Sequence, residues 1–211
     1  MFGSLSLFAL LLQTPPLAAD RLQAATTCAH VSVLAPMQGG SPLRTTSQFT
    51  YFVMEAAIAK ADSKPFLERL TSMIQEVTAA AAPSEAEAKA LAPQCDGRFP
   101  LGRRIGQPAL PADPFKRDLM CLGVLSILQG ATEEIKKEPL PGATGADTDS
   151  VSDRITAALV PVQARLTDEA LAKNGFKDEA SFTAAMGDQI AASVALGDPA
   201  SVAQSCGLSA A

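Results

Sequence analysis

Apolar residues recur along this chain at intervals of three and four, which is the spacing of one face of an α-helix. No stretch alternates convincingly with a period of two, as a half-buried strand would. We therefore predict an all-α protein, a bundle of seven to eight helices. The pattern is clearest after Pro65, where the predicted inward-facing set is Phe66, Leu67, Leu70, Met73, Ile74 and Val77. The predicted helical segments are 20–35, 47–62, 66–77, 84–95, 114–137, 151–171, 178–196 and 199–206.

Capping residues mark the start of several of these helices. Ser84 and Glu87 have the spacing of a capping box, in which each side chain bonds to the backbone of the other. Asp113 and Asp198 each precede a proline, a pair of residues that favours the first turn of a helix. These signals predict helices that begin close to residues 84, 114 and 199.

Other boundaries are marked less sharply. Thr46 or Ser47 is the predicted cap of the second helix. Residues 139–150 are rich in Pro and Gly and predict a flexible loop. Pro161 predicts a kink within a helix that continues to about residue 171.

The first residues of the chain have the pattern of an export signal. Residues 1–19 carry no charged side chain, and residues 5–12 form an apolar run much shorter than a membrane span. Residues 17–19 provide a small-residue cleavage site before Asp20. We expect a signal peptide and a periplasmic or secreted mature chain without an integral membrane segment. The segment lacks the basic residue typical of a signal peptide, so a buried first helix or an upstream start codon is the alternative.

Four cysteines lie in positions that indicate an internal duplication. Cys28 and Cys121 each lie in a predicted helix and have Val three residues later. Cys95 and Cys206 each end a short predicted helix. In an exported chain four cysteines imply two disulfides, and three pairings are possible. The duplication selects Cys28–Cys95 and Cys121–Cys206, which would close one disulfide in each half.

The duplication also divides the chain into units. Residues 20–97 would form the first helical unit and residues 114–211 the second. The Pro- and Gly-rich residues 98–113 would link them. The two four-helix units could be separate or could pack as one domain.

Composition and charge narrow the range of functions. Hydrophobic residues make up 47% of the 211 residues, with many alanines, which favours packed helices. The net charge of −5 argues against nucleic-acid binding, because phosphate contacts need a basic surface. The expected partner is a protein or another component of the cell envelope, and no cofactor is expected.

Residues with catalytic or metal-binding chemistry are few. No Cys-x-x-Cys and no Gly-x-Ser-x-Gly occurs, which argues against redox catalysis and serine hydrolysis. The single histidine, His30, lies two residues after Cys28, so the two would point to different sides of a helix and could not easily share a metal ion. We expect no catalytic residue and no metal site. The acidic pairs Glu85/Glu87 and Glu133/Glu134 are expected on exposed helix faces.

A group of basic residues interrupts the acidic sequence near the middle of the chain. Arg98, Arg103 and Arg104 lie close together, and Lys116 and Arg117 follow. We predict that the three arginines contact an anion or an anionic partner. The alternative is a solvated linker whose apolar residues lie on the bundle.

In its cysteine-bearing helices, in Tyr51-Phe52 and in the segment Cys95-Asp-Gly-Arg-Phe-Pro, the chain resembles a class of small exported bacterial helical proteins without assigned function. In its general format the chain is also similar to periplasmic immunity proteins that bind secreted peptidoglycan-targeting effectors. Neither resemblance supplies binding residues.

Three functional hypotheses follow from these patterns. The leading one is an exported, non-enzymatic helical protein that acts as a binding, structural or stress-related envelope factor. The second is a periplasmic immunity or inhibitor protein against a secreted enzyme. The third is an envelope hydrolase that uses carboxylates brought together by folding.

Overall fold

The computed structural model describes residues 16–36, 41–137 and 145–209, without the side chains of 145–147. The described residues form α-helices, one 3-10 turn and no strands, so the all-α prediction is confirmed. None of the described helices is long and apolar enough to cross a membrane. The helices are α1 (Arg21–Leu34), α2 (Pro42–Ala59), α3 (Phe66–Ala79), α4 (Glu85–Arg98), α5 (Pro114–Lys137), α6 (Gly145–Gln163), α7 (Asp168–Lys173), α8 (Glu179–Ser193) and α9 (Pro199–Ser205), with the 3-10 turn at Pro100–Arg103.

Most of the predicted caps are present. The Ser84–Glu87 capping box forms both of its reciprocal contacts at the start of α4. The Asp113 carboxylate accepts the backbone N–H of Lys116 at 2.9 Å at the start of α5. Asp198 caps α9 by accepting backbone N–H groups through its side chain. The signals that involve only neighbouring residues therefore locate these ends correctly.

The predicted start of α2 is wrong. The helix begins at Pro42, and the side chain of Ser41 accepts the N–H of Arg44, so Ser41-Pro42 is the cap and first residue. Thr46 and Ser47 are buried inside the helix. Thr46 donates its hydroxyl to the Pro42 carbonyl at 2.9 Å, and Ser47 bonds to a distant residue described below.

The predicted helix over 151–171 is two helices. α6 begins at Gly145, within the segment predicted as a loop, while residues 138–144 lie outside the described part of the chain. Pro161 lies inside α6, which continues to Gln163. α7 then starts after Thr167, whose side chain accepts the N–H of Ala170. A capping threonine directly before the acidic residues Asp168 and Glu169 starts a separate helix, and the predicted continuous helix does not account for this signal.

Two apolar cores lie inside the molecule. The first is built mainly from α1 to α4 and includes Phe52, Phe66 and Val77. The second is built from α5, α6 and α9 and includes Leu125, Ile155 and Val202. On α3, Phe66, Leu70, Met73 and Val77 are buried as predicted, whereas Leu67 is partly buried and Ile74 is 45% exposed. The buried face of α3 is therefore narrower than the sequence pattern implies.

Helix α8 joins the two halves. It packs along α5 and also contacts α3. Ile190 of α8 and Val194, directly after the helix, belong to the first core. Gly123 of α5 lies directly against the Ile190 side chain, where any added Cβ would collide. A small residue at position 123 therefore lets α5 and α8 approach closely.

One disulfide joins the ends of each half. Cys28 of α1 bonds to Cys95 of α4, and Cys121 of α5 bonds to Cys206 after α9. This is the pairing that the duplication selected. No free cysteine is found among the described residues. Disulfides of this kind indicate a protein that folds outside the reducing cytoplasm.

The helix arrangement gives partial support to a duplication. In each half the first helix packs against the second and is joined by a disulfide to the last. The halves also differ, because the second contains the additional short helix α7, and because α3 packs mainly against α2 whereas α8 packs mainly against α5. The duplication therefore stays a hypothesis. The two units are in contact through α2 and α3 of the first and α5, α6, α8 and α9 of the second.

A buried ionic cluster also connects the halves. Asp198 is 0% exposed, and its carboxylate accepts hydrogen bonds from Arg44 Nη1 at 3.0 and 3.2 Å. The Ser47 hydroxyl donates to the same carboxylate and accepts the N–H of Ala200 at 2.7 Å. The Ser201 hydroxyl adds a bond of 2.8 Å to the carboxylate. One side chain thus caps α9 and ties it to α2; we call this group the Asp198 cluster.

The Asp198 cluster generates a stability prediction. Asp198→Ala should lower the free energy of unfolding by about 3–5 kcal/mol, because it leaves Arg44 largely buried and unpaired. Asp178→Ala is the matched control: Asp178 also caps a helix, accepting the Ser181 N–H at 2.8 Å, but its side chain is exposed. The control should cost only about 1 kcal/mol. Urea unfolding of both variants measures the difference, and equal costs would contradict the role given to Asp198.

Candidate functional site

The segment from Arg98 to Gln107 is the most distinctive surface of the molecule, and we call it the cationic turn. Its inner side is well anchored rather than a free linker. Phe99 is 1% exposed and meets the ring of Phe52 edge to face, with centroids 5.6 Å apart. A Cβ at Gly102 would lie 2.8 Å from Cδ1 of Tyr51, so only glycine lets the turn lie so close to α2.

The outer part of the turn is fastened to α9. Ser201 Oγ lies 2.8 Å from the carbonyl oxygen of Arg104 as well as 2.8 Å from the Asp198 carboxylate, and its single proton can be donated to one of these two acceptors at a time. The Ser205 hydroxyl donates to the carbonyl of Pro108, also at 2.8 Å. Because Ser201 is part of the Asp198 cluster, the backbone of the turn is connected to that cluster by one hydrogen bond.

The three predicted contact arginines have different surroundings. Arg103 Nε lies 2.8 Å from the Asp96 carboxylate, and only 17% of the Arg103 side chain is exposed. The two groups form an ion pair, although they are not aligned for a hydrogen bond. Arg98 donates from Nη2 to the carbonyl of Ala19 at 3.2 Å and is exposed. Arg104 is exposed, and its guanidinium makes no ion pair within the described part of the chain. Arg98 and Arg104 remain available to a partner, whereas Arg103 is engaged internally.

Folding adds two residues to this surface. Arg21 lies 5.3 Å above the ring of Phe99, and half of its side chain is exposed. Ile105 is 72% exposed, the largest value among the big apolar side chains that the structure describes. The sequence pattern did not indicate Arg21, because it lies 78 positions before Phe99 and the contact is made only in the folded chain.

A polar stripe runs along the buried side of α2. Arg44, Ser47, Tyr51 and Glu55 follow at spacings of three and four, so they share one face of the helix. The Tyr51 hydroxyl donates to Glu55 Oε1 at 2.9 Å. Burial and the neighbouring Glu55 charge raise the pKa of Tyr51 above its ordinary value. Tyr51 therefore stays neutral at physiological pH and acts as a hydrogen-bond donor.

Each of three buried carboxylates has its own arginine partner. Glu55, at 4% exposed, accepts from Arg21 Nη2 at 2.7 Å and from Nε at 3.1 Å. Asp118, at 6% exposed, accepts two bonds from Arg165 at 2.8 and 2.9 Å. Asp198 is paired with Arg44, as described above. A carboxylate with charge-assisted hydrogen bonds to its own arginine is fixed in position, which suits a structural role better than proton transfer.

The remaining titratable candidates lie apart from one another. His30 is partly buried, its Nε2 has no hydrogen-bond partner among the described residues, and burial lowers its pKa, an effect partly offset by the backbone of Val77. The predicted exposed carboxylates have local partners: Glu85 bonds Lys89, Glu87 bonds Ser84, Glu133 bonds Lys136, and Glu134 bonds Lys137. No group of three His, Cys, Asp or Glu side chains in the described chain could hold a metal ion.

Two surface grooves lie among the described residues near α3. One of about 490 Å³ lies between the start of α3 and α8 and is lined by residues that include Phe66, Leu67, Glu68 and Glu179. The other, of about 340 Å³, lies between α1 and α3. Neither groove is lined by an unpartnered buried polar atom, so neither has the convergent polar groups of a small-molecule site.

The surroundings of His30 generate a pH prediction. Its folded pKa lies below the ordinary value of 6.5, so the unfolded chain binds a proton that the folded chain does not. The free energy of unfolding should therefore fall as the pH drops from about 8 to about 6, through the ordinary histidine pKa. Urea unfolding across this range should show the fall in the wild type and a flatter profile in His30→Gln. An identical slope in both proteins would show that another group is responsible.

Comparison with known proteins adds no further assignment. No family model matches the sequence, and no curated protein or solved structure matches it either. The function of the chain therefore has to be inferred from its own residues and their geometry.

Proposed function

We propose that this chain is an exported, non-enzymatic binding protein that contacts an anionic partner in the cell envelope through the cationic turn. The observation that carries the proposal is the contrast within that turn. Its backbone is bonded to α9 and its aromatic side is buried, while Arg104 and Ile105 project into solvent. Exposed side chains on a fixed backbone are what a binding surface needs, because little conformational entropy is lost on association.

The charge of the turn supports an anionic partner. Arg98 and Arg104 are exposed on either side of the 3-10 turn, and half of the Arg21 side chain is exposed above Phe99, on a protein whose net charge is −5. A local positive surface on an acidic protein orients the molecule as it approaches a negative partner. The arginine fork also matches phosphate and carboxylate groups, which are common in envelope polymers and lipids.

The exposed isoleucine supports a surface that excludes water at its centre. Ile105 lies directly after Arg104, so an apolar contact would lie beside a charged one. Burying such a side chain in an interface contributes about 1.5–3 kcal/mol. Ile105 stays in water although Phe99, six positions earlier, is buried. A segment that served only as a solvated linker would gain nothing from an exposed isoleucine.

The arrangement of the carboxylates gives less support to the hydrolase hypothesis. That hypothesis needs two acids in one pocket with different protonation. Glu55, Asp118 and Asp198 are each paired with a separate arginine. Glu68 and Glu179, which line the larger groove, are exposed side chains in the first turns of two different helices rather than a buried pair.

A binding assay tests this proposal. The purified mature chain is sedimented with vesicles of anionic or of neutral phospholipid, and in parallel passed over an immobilised anionic polysaccharide at low salt. We expect retention on at least one anionic probe, none on the neutral vesicles, and weakening as salt rises.

Substitutions locate the surface. Arg104→Glu and Ile105→Asp should each reduce the affinity about tenfold, a loss of about 1.4 kcal/mol. Lys173→Glu on α7 makes the same charge change at an exposed site away from the turn and should have little effect. No binding to either anionic probe, or an equal loss in the Lys173 control, would contradict the proposal.

A further inference from the structure

The two disulfides differ in how far a second thiol can reach them. Cys28 and Cys95 are both 0% exposed and lie inside the first core. Cys121 is 2% exposed. Cys206 is partly exposed at the end of α9, where it adjoins the solvent-exposed Gly207. Cys206 is thus the one cysteine among the described residues that is not buried.

Thiol–disulfide exchange requires direct contact between an attacking thiolate and one sulfur of the bond. We infer that Cys206 is a thiol-exchange site, at which an external thiol opens Cys121–Cys206 while Cys28–Cys95 stays closed. The inference is independent of the proposed binding function, because it rests on the burial of the four cysteines alone.

The chemistry balances with two equivalents of an external thiol. The first thiolate bonds to the sulfur of Cys206, and the bonding electron pair of the disulfide leaves with the sulfur of Cys121, which takes up a proton. A second thiolate then attacks the external sulfur of this mixed disulfide and releases Cys206 as a thiol. The external thiols are oxidised to a disulfide, and the chain gains two thiols.

The fold explains why this opening should be local and reversible. α9 keeps three non-covalent attachments that do not involve Cys206. Asp198 holds its first turn on α2, and the Ser201 and Ser205 hydroxyls hold the cationic turn. Beyond the cysteine, Leu208 is 3% exposed and its N–H bonds to the Ala203 carbonyl at 2.9 Å. The two sulfurs should therefore stay close to each other after reduction.

The surroundings of the other disulfide favour the opposite behaviour. Cys28 and Cys95 link α1 to α4 within the same buried cluster as Ala25, Ala29 and Leu91. A thiol could reach these sulfurs only after α1 and α4 separate, which would expose the first core. Reduction of this bond should therefore follow unfolding rather than precede it.

The experiment uses the oxidised mature chain under native conditions. The protein is incubated with reduced glutathione, samples are quenched with an alkylating agent at intervals, and cysteine-containing peptides are identified by mass spectrometry. We expect alkylated Cys121 and Cys206 to accumulate while the Cys28–Cys95 peptide stays disulfide-linked. The mixed disulfide with glutathione should be found on Cys206, and circular dichroism should retain the helical signal.

Two single variants test the same inference without reduction. Cys121→Ala leaves Cys206 as a thiol, and Cys206→Ala leaves Cys121 as a thiol. In the folded proteins Cys206 should react with an aromatic disulfide reagent about tenfold faster than Cys121, and the difference should vanish in denaturant. If either variant fails to fold, the wild-type time course still decides.

Several outcomes would overturn the inference. These are simultaneous loss of both disulfides, earlier loss of Cys28–Cys95, a glutathione adduct on Cys121, or loss of helical signal together with the first reduction.

Discussion

The burial of Asp198 is the constraint on which much of this structure depends. A fully buried carboxylate is costly unless its charge is neutralised and its oxygens are hydrogen-bonded. Arg44 neutralises the charge of Asp198. The carboxylate oxygens accept hydrogen bonds from Ser47, Ser201 and the first amides of α9. Since these groups come from helices about 150 positions apart in the sequence, the carboxylate is satisfied only when the two halves of the chain are assembled.

The same cluster determines where the candidate binding surface lies. Ser201 Oγ lies 2.8 Å from both a carboxylate oxygen of Asp198 and the carbonyl oxygen of Arg104, within donor distance of either, so the position of the cationic turn follows from the position of α9. On the other side, Phe99 and Gly102 fit against the aromatic residues of α2. The turn is therefore held between two helices that the Asp198 cluster joins, and its exposed side chains are presented on a fixed backbone.

The disulfides and the ionic cluster stabilise different parts of the molecule. Each disulfide closes one half by joining its first helix to its last. The Asp198 cluster instead links the halves, together with the packing of α8 against α3 and α5. This division explains how the second disulfide could open without separating α9 from the rest of the fold.

Local signals account for what the sequence predicted correctly. The capping box at Ser84 and the Asp-Pro pairs at 113–114 and 198–199 involve only neighbouring residues, and the structure has helices at all three. Ser47 is a residue type that often caps helices, which is why the start of α2 was predicted there. In the structure its hydroxyl instead donates to Asp198, 151 positions away. A local pattern cannot show that a hydroxyl is already engaged by a distant helix.

The candidate site was predictable only in part for the same reason. The run of arginines after Cys95 indicated a basic surface, and Arg98 and Arg104 are exposed there. Sequence proximity could not show that Asp96 engages Arg103 or that Arg21 joins from the start of α1. Pairs of opposite charge that are distant in sequence, such as Asp118 and Arg165, were likewise indistinguishable from solvated charges until the fold brought them together.

Native-state hydrogen exchange tests the central role of Asp198 most directly. If the cluster makes α2 and α9 one cooperative unit, their slowest amides should open with the same free energy in the wild type. Asp198→Asn should lower the protection of both helices together. The account would be contradicted if α9 exchanged by an independent opening and the substitution left the protection of α2 unchanged.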